Sequence, residues 1–194
     1  MREERVTEPP RASIVVDATG RSARIARAHG ARRVRGDRLA AAVWTSQADA
    51  GTATSVASVP DGWWYASPLP QGGRIEAFLT DADLLPRTWE RRPQVTDAST
   101  TWLDRISGPG WVATGDAAAA FDPLSSQGIV TALLMGRAAG LAAAGELDPA
   151  EYEEEYASLF LEHLALRDAY YALETRWPDS PFWSRRGATV AAAV

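Results

Sequence analysis

The chain of 194 residues contains no cysteine and no lysine, and all 20 of its basic residues are arginine. Without thiols it cannot form disulfides, zinc–thiolate sites or a cysteine nucleophile. Without lysine it cannot form a Schiff base with a carbonyl substrate or with pyridoxal phosphate. Only two histidines are present, and no carboxylates cluster around them, so the sequence predicts no catalytic metal site. We therefore expect any demanding chemistry to be carried by a bound organic cofactor.

Long apolar runs are also missing. No segment offers the roughly 18 consecutive apolar residues that suggest a membrane-spanning helix, and the charged N-terminus, MREERVTEPPR, lacks an apolar stretch of signal-peptide length. The net charge is -5 and no basic stripe lies on a recognisable reading helix, which argues against nucleic acid as a partner. With 46% hydrophobic and 23% charged residues, we expect a globular, soluble and cytoplasmic protein without a membrane partner.

Short apolar runs separated by turn residues fill the first half of the chain. Residues 12–18 (ASIVVDA) predict a buried strand that ends in a turn, and a short helix at about 22–29 follows. Between about 38 and 81, the runs LAAAVWT, TSVASV, GWWYASPL and GRIEAFLT predict an antiparallel sheet with a hairpin at Gln71-Gly72-Gly73. Residues 82–106 have a mixed pattern and are expected to be helical in pieces.

The second half begins with GWVATGD at 110–116, which predicts another buried strand. A helix follows in SSQGIVTALLMGRAAGLAAAG, where Ile129, Leu133, Gly136 and Gly140 recur at helical spacing, and it is expected to pack closely through its small residues. A second helix at about 149–175 is expected, because Asp148 is a plausible N-cap and Pro149 fits the first helical position. The tail, RWPDSPFWSRR, is expected to wrap on the body instead of continuing as helix.

The strongest chemical signal is Gly115-Asp116 at the end of a strand, followed by Phe121-Asp122-Pro123, a Ser-Ser-Gln-Gly turn and a helix rich in small residues. This layout resembles the second flavin fingerprint of FAD-dependent monooxygenases and halogenases. The resemblance implies that Asp116 accepts hydrogen bonds from the ribityl chain of FAD. It also implies that the loop lays backbone N–H groups beside the isoalloxazine, a role assigned to Pro123, Ser126, Gln127, Gly128 and Ile129.

Elementary electrostatics points the same way, because a helix N-terminus carries roughly half a positive charge and unpaired donors, which favour an anion such as reduced flavin. A plain strand-to-helix turn with aspartate as an N-cap is the alternative interpretation of Gly115-Asp116. The upstream run Asp17-Ala-Thr19-Gly20 is the second matching piece, because in the same family it closes a strand of the FAD domain near the cofactor. The resemblance therefore adds Asp17, Thr19, Gly20 and Gly115 to the cofactor site.

A third piece, Gly62-Trp63-Trp64-Tyr65-Ala66-Ser67-Pro68, occupies the place where tryptophan halogenases carry a Trp-x-Trp-x-Ile-Pro signature. Tyr65 replaces the second tryptophan and Ser67 the isoleucine, which argues against halogenation. The resemblance is nearer to halogenase-like flavoproteins that modify peptidyl tryptophan in quinone-cofactor amino-acid oxidases. It implies that an aromatic substrate sits against Trp63, Trp64, Tyr65 and Ser67, whereas packing in the sheet core is the alternative for each aromatic residue.

The resemblance extends from about residue 12 to 187 but covers only part of the family's domain. A full-length member begins with a strand, a G-x-G-x-x-G turn and a helix that seat the FAD pyrophosphate. The single Gly-x-Gly here, at 108–110, contains a proline and precedes a strand-like run, so it cannot form that turn. We therefore expect an α+β fold: a fragment of an α/β FAD-binding domain with an inserted antiparallel substrate-side sheet and C-terminal helices.

The expected segments are a partial FAD-binding domain at 1–37, an antiparallel-sheet substrate domain at 38–106, a second FAD-binding segment at 107–146 and a C-terminal helical segment at 147–194. The resemblance implies monooxygenase-type oxidation of a small aromatic or peptidyl substrate by the intact enzyme. Two alternatives stay open. One is a non-catalytic module that pairs with a separate N-terminal FAD-binding chain, and the other is a hydride-transfer reductase.

Overall fold

The computed structural model of the protein describes residues 14–47 and 51–191, with side chains up to residue 187. The expectations for residues 1–13 therefore lie outside the described residues. The strands are β1 (Val15–Asp17), β2 (Arg33–Arg35), β3 (Leu39–Ser46), β4 (Ser55–Val59), β5 (Gly62–Pro68), β6 (Arg74–Asp81), β7 (Gln94–Asp97), β8 (Thr101–Leu103), β9 (Ser107–Gly108), β10 (Trp111–Ala113) and β11 (Ala119–Ala120). The α-helices are α1 (Arg24–Ala28), α2 (Gly128–Ala144), α3 (Pro149–Ala172) and α4 (Pro181–Ala191).

These elements form two compact units, each assembled from two separate stretches of chain. Unit 1 contains residues up to Gly36 together with 100–163, and unit 2 contains residues 37–99 together with those from 164 onward. The segments expected to bind FAD, 1–37 and 107–146, supply most of unit 1. Helix α3 contributes its first part to unit 1 and its last part to unit 2.

Unit 1 is built on two small three-stranded sheets. In the first, β1 pairs in parallel with β10, and β10 pairs antiparallel with β9. In the second, β8 lies between β11 and β2, and both pairings are antiparallel. The core between these sheets and the helices is rich in alanine, which lets the backbones approach closely.

Two tyrosines of α3 connect that helix to the core of unit 1. The Tyr152 hydroxyl donates to the carbonyl of Ala113 at 2.6 Å, and the Tyr156 hydroxyl donates to the carbonyl of Gly115 at 3.0 Å. Burial raises the pKa of Tyr152 to about 12 and also raises the pKa of Tyr156, so both remain neutral donors at physiological pH. The predicted N-cap of this helix is confirmed, because the Asp148 carboxylate accepts from the N–H of Ala150 at 2.8 Å.

Helix α2 packs through small residues, as expected, but these are its alanines and not its glycines. Its buried residues are Thr131, Met135, Ala138, Ala139 and Ala142. Ile129 and Leu133 are 78% and 71% exposed, and a Cβ placed on Gly136 or Gly140 would meet no atom within 4 Å. Close packing of α2 through small residues is therefore confirmed, but the alanine and methionine face makes the contact, and the four positions noted at helical spacing do not.

Unit 2 contains a five-stranded antiparallel sheet in the order β4-β5-β6-β3-β7. The four predicted strands and the Gln71-Gly72-Gly73 hairpin are confirmed. Gly73 needs to be glycine, since its φ is +85° and a Cβ there would lie 2.3 Å from the carbonyl oxygen of Ser46. The expectation of helix in 82–106 is wrong, because this segment supplies β7 to the edge of the sheet and β8 to unit 1.

The tail also departs from expectation, since residues 181–191 form the helix α4. Pro181 occupies a helix start, where its missing N–H costs nothing, and Phe182 and Trp183 are buried. The buried Arg186 guanidinium lies 3.7 Å above the Phe182 ring and donates to the Asp81 carboxylate of β6 at 2.7 Å. Buried aromatic rings and this ion pair thus hold α4 within unit 2. None of the described helices is long and apolar enough to cross a membrane.

Candidate functional site

The Asp17-Ala-Thr19-Gly20 turn at the end of β1 is organised by the fully buried Asp17 carboxylate. One oxygen accepts from the N–H and the hydroxyl of Thr19, at 2.9 and 2.6 Å, and the other accepts from the N–H of Ala26 at 2.8 Å. Thr19 in turn accepts from the N–H of Arg24 at 2.8 Å, at the start of α1. Because these bonds occupy both carboxylate oxygens, Asp17 positions the turn and α1, and Thr19 belongs to the same network.

The backbone beyond this turn is bent into the left-handed region twice. Gly20 has φ +66°, and the buried Ala23 has φ +42°, an uncommon value for a residue with a side chain. A Cβ on Gly20 would meet no atom within 4 Å, so this turn opens on unfilled space. The chain is therefore folded back sharply with the backbone of Gly20 accessible.

Gly115 and Asp116 follow β10, directly beside the first turn. Because β1 and β10 are parallel, with Asp17 opposite Ala113, their carboxyl ends meet at one edge of the sheet. Gly115 has φ +56°, and a Cβ on it would lie 3.4 Å from that of Ala132 in α2. The two motifs that the sequence singled out, nearly 100 residues apart, are thus brought together.

Two arginines that the sequence did not identify reinforce this edge. Arg21 lies 3.9 Å from the Asp116 carboxylate, which is 47% exposed. Arg33 donates to the carbonyls of Asp116 and Ala117 at 3.3 and 2.9 Å and thereby fixes the turn that carries Asp116. Burial lowers the pKa of Arg33, and the positive charges of Arg21 and Arg27 lower it further. This edge of unit 1 therefore combines one accessible carboxylate with a concentration of positive charge suited to anions.

The loop before α2 completes the arrangement. Asp122 is buried and accepts from the N–H of Leu124 at 2.9 Å, which shapes the turn that starts at Pro123. Ser126 has φ +54°, a second left-handed residue with a side chain. No side chain of the described residues caps α2 at Gln127, and a Cβ on Gly128 would meet no atom within 4 Å. The first N–H groups of a 17-residue helix are therefore left open, beside the turn of Gly115.

The four residues expected to contact a substrate lie in unit 2 and do not share one face of the sheet. Trp63 is buried, and its indole N–H donates to the Tyr171 hydroxyl at 3.2 Å, so it packs in the interior of unit 2 instead of lining an open surface. Tyr65 and Ser67 alternate with Trp64 along β5 and share the face of Trp63. The Ser67 hydroxyl bonds to that of Thr54 at 2.8 Å.

Trp64 points to the opposite face and joins an aromatic cluster that the sequence interpretation missed. The cluster consists of Trp44, Trp64, Phe78 and Trp89, with ring centroids 5.6 Å apart for Trp44–Trp64, 5.0 Å for Trp64–Phe78 and 5.1 Å for Trp44–Trp89. Trp64 is 38% exposed. The period-two alternation of the strands could have placed Trp44 and Trp64, but nothing local marks Trp89, which lies outside any strand.

Comparison with known proteins gives a consistent result. No protein-family model matches the sequence. The chain is 24% identical over 211 residues to LodB of Marinomonas mediterranea, a protein named as a FAD-dependent oxidoreductase, and this match covers 90% of the chain and 56% of LodB. The chain thus spans about half the length of this relative.

Two solved structures illustrate the structural similarity. The peptidyl tryptophan dihydroxylase QhpG, described as essential for tryptophylquinone cofactor biogenesis, matches with a TM-score of 0.67 and 24% identity over 79% of this chain and 44% of QhpG. The myxobacterial chondrochloren halogenase CndH matches with a TM-score of 0.73 and 20% identity over 94% of this chain and 53% of CndH. The expected α+β fold is thereby confirmed, and it is similar to part of the fold of QhpG and of CndH.

Proposed function

We propose that unit 1 supplies part of an FAD site and that the intact protein is a FAD-dependent oxidoreductase. Its reaction would be a monooxygenase-type oxidation of an aromatic substrate, tryptophan-derived or peptidyl. The observation that carries this proposal is the meeting of three features at one sheet edge: the Gly20 turn, the half-exposed Asp116 carboxylate and the uncapped N-terminus of α2. The similarity to LodB supports the same class of cofactor.

The residues at this edge fit a flavin dinucleotide chemically. An exposed carboxylate is an acceptor for ribityl hydroxyls, the open N–H groups of α2 favour negative charge, and Gly20 and Gly128 border space that no described side chain fills. Arg21 and Arg33 add positive charge, which suits phosphate oxygens. We therefore assign cofactor contact to Gly20, Asp116 and the loop from Pro123 to Ile129.

Bound FAD would supply electron transfer and oxygen activation, for which side chains alone have no equivalent. The chain's own residues would do the remaining work. Arg21 orients the Asp116 carboxylate, Arg33 fixes the carbonyls behind it, and α2 stabilises an anion near Gly128. This division of labour fits a chain without lysine or cysteine.

We also propose a partner surface, formed by the open edge of β1 and an apolar stripe on α2. Among the described residues β1 pairs on one side only, with β10, so the N–H and C=O of Val16 point away from the sheet. The stripe consists of Ile129, Val130, Leu133 and Leu134, all heavily exposed. A strand parallel to β1 with an attached helix would cover both, and the chain spans only about half of LodB. The occupant would be a dinucleotide-binding segment, on this or a separate polypeptide.

Titration of the purified chain with FAD tests the cofactor proposal. We expect saturable quenching of flavin fluorescence that weakens at least tenfold in Asp116→Asn, because the neutral amide loses both the charge and one acceptor. Asp104→Asn is the matched control, since Asp104 also pairs with an arginine on the surface of unit 1, at 2.9 Å. Equal affinities for the two variants would remove Asp116 from the site.

The non-catalytic module is the second candidate, and the exposed stripe on α2 favours it. The two candidate functions are distinguished by adding a dinucleotide-binding segment to the chain. The segment used is the part of LodB that this chain does not match. FAD binding without substrate turnover by the reconstituted pair would support the module, whereas FAD reduction and oxygen-dependent product formation would support the oxidoreductase.

A further inference from the structure

A cavity of about 200 Å³ lies within unit 1, between the first half of α3 and the segment that begins with β8. Its helix side, which gives the α3 cavity its name here, is lined by residues at helical spacing: Glu153, Tyr156, Ala157 and Phe160. The opposite wall consists of residues 102–106 together with Ala118 and Ala119. None of these residues is among those assigned to cofactor contact, so the α3 cavity is additional to the proposed FAD site.

The interior of the α3 cavity is suited to an aromatic ring. Trp102 and Phe160 contribute rings whose centroids lie 5.3 Å apart at an interplanar angle of 49°, and Leu103 and Ile106 add aliphatic surface. Both rings are only partly buried, so each retains surface for a further contact. An apolar cavity of about 150 Å³ can hold a benzene molecule. The volume of the α3 cavity therefore admits one ring with a short chain.

A carboxylate with a spare acceptor lies at the α3 cavity. One oxygen of Glu153 accepts from the Ser107 hydroxyl at 2.7 Å, which fixes the side chain, and among the described residues its other oxygen has no donor. Asp104, the other carboxylate of the lining, is already paired, because it accepts from the N–H and the guanidinium of Arg32 at 2.8 and 2.9 Å. Arg105, also in the lining, donates to a backbone carbonyl at 2.7 Å. The group that the spare oxygen of Glu153 recognises best is a cationic N–H donor.

We propose that the α3 cavity binds a small organic cation, in which an ammonium group is joined by a short chain to one aromatic ring. The ring lies against Trp102 and Phe160, and the ammonium group donates to the spare oxygen of Glu153. A neutral analogue keeps the apolar contacts but loses the charge-assisted hydrogen bond. This inference goes beyond the proposed function, because it concerns a second ligand and requires no FAD.

The ligand requirement is tested by calorimetric titration of the full chain, without FAD, with three compounds. These are phenylethylammonium, its neutral analogue phenylethanol, and butylammonium, which lacks the ring. We expect saturable binding of phenylethylammonium at millimolar concentration and at least roughly tenfold weaker binding of either analogue, because the charged hydrogen bond and the burial of the ring each contribute that much. Equal affinities for phenylethylammonium and phenylethanol would overturn the proposal, as would a lack of saturable binding.

Two matched pairs of variants locate the ligand. Glu153→Gln should weaken the binding of phenylethylammonium about tenfold and leave that of phenylethanol within about twofold. Glu154→Gln removes the same charge from an exposed position outside the lining and should leave both within about twofold. Ala157→Phe fills the cavity and should abolish the binding of both compounds, whereas Ser158→Phe, at the next exposed position, should not.

The neutral compound keeps the proposal falsifiable if Ala157→Phe does not fold. A Glu153→Gln variant that still binds phenylethanol has an intact cavity, so its loss of phenylethylammonium reports on the carboxylate alone. An equal effect of Glu153→Gln and Glu154→Gln, or binding that survives in folded Ala157→Phe, would overturn the proposal. Displacement of phenylethylammonium by FAD would also overturn it, since the cavity would then belong to the cofactor site.

Discussion

Two aspartates of unit 1 show how position decides the role of one side chain. Asp17 is fully buried and accepts three hydrogen bonds from its own turn and from α1, whereas the Asp116 carboxylate is half exposed and has one distant arginine. The first therefore contributes to the stability of the fold, and the second is available to a ligand.

Substitution of these aspartates should separate stability from binding. We expect Asp17→Asn to lower the free energy of unfolding by about 2–3 kcal/mol, because an amide cannot accept all three bonds and leaves a buried donor unpaired. Asp116→Asn should change it by no more than about 0.5 kcal/mol, since exposed ion pairs contribute little. Urea unfolding of both variants measures the difference, and comparable losses would contradict the assignment of roles.

Ser126 carries strain that a single substitution should release. A left-handed backbone costs a residue with a side chain about 1–2 kcal/mol, and glycine removes this cost. Glycine also raises the conformational entropy of the unfolded chain, which destabilises the folded state by about 0.4–1 kcal/mol. Ser126→Gly should therefore stabilise the protein by about 0.5 kcal/mol in thermal unfolding. Ser125→Gly, at an ordinary φ next door, is the control and should destabilise it. If both variants shift the melting temperature in one direction, strain at Ser126 is not the cause.

Among the elements, α4 depends most on one buried charge. Asp81 accepts from Arg186 and Arg185, both at 2.7 Å, and Arg186 is buried between the rings of Phe182 and Tyr171. Removal of the carboxylate would leave the positive charge of Arg186 buried and unpaired, which strongly destabilises the folded state.

We expect Asp81→Ala to lower the free energy of unfolding by about 3–5 kcal/mol. Asp83→Ala is the matched control and should cost no more than about 1 kcal/mol, because Asp83 pairs with Arg185 at the surface. The double variant Asp81→Leu/Arg186→Met should recover part of the loss, since no uncompensated charge remains. A double variant as unstable as Asp81→Ala would contradict this account.

The segment between α3 and α4 should respond to acid. Hydrogen bonds from Arg176, and then from Ser58, lower the pKa of Glu174 to about 2. A depressed pKa means that the stabilisation from this carboxylate is fully present above about pH 4.5 and is lost as the pH falls toward 2. The urea midpoint of Glu174→Gln should therefore lie below that of the parent at pH 6, and the gap should narrow by pH 2.5. Glu162→Gln, at an exposed position, is the control, and its urea midpoint should match that of the parent at pH 6.

The sequence was informative for elements whose pattern is local. Alternation and turn glycines predicted the four central strands and the 71–73 hairpin, and Asp148 with Pro149 predicted the start of α3. Helix α4 was missed because its prolines suggested irregular chain, although Pro181 is at a helix start. The close packing of α2 through small residues was predicted, but which small residues face the core was not, because alanines and glycines are spread around the helix. Arg21, Arg33 and Trp89 could not be identified, since only the tertiary fold brings them to their neighbours.

For the whole molecule, the exposed stripe on α2 is the least usual surface feature. We expect Leu133→Gln/Leu134→Gln to change the free energy of unfolding by no more than about 0.5 kcal/mol each, because both side chains are already exposed. Met135→Gln, at the adjacent buried position, should cost several times more. The double variant should also bind less of a hydrophobic dye. A large loss of stability in the double variant would show that the stripe is internal.

The interleaving of the two units has a consequence for synthesis on the ribosome. In the parallel pair of β1 and β10, Asp17 lies opposite Ala113, which is synthesised almost 100 residues later. At a typical elongation rate of 5–20 residues per second, β1 is therefore synthesised about 5–20 s before the strand with which it pairs. Unit 1 cannot complete its folding before residue 163 has been synthesised, and unit 2 cannot complete its folding before α4 has been synthesised. Both units therefore fold only when translation of this region is nearly complete. A nascent chain stalled at residue 99 would expose both the unpaired β1 and an uncovered sheet. We expect such a chain to aggregate through its exposed apolar strands unless it is protected until the last helices emerge.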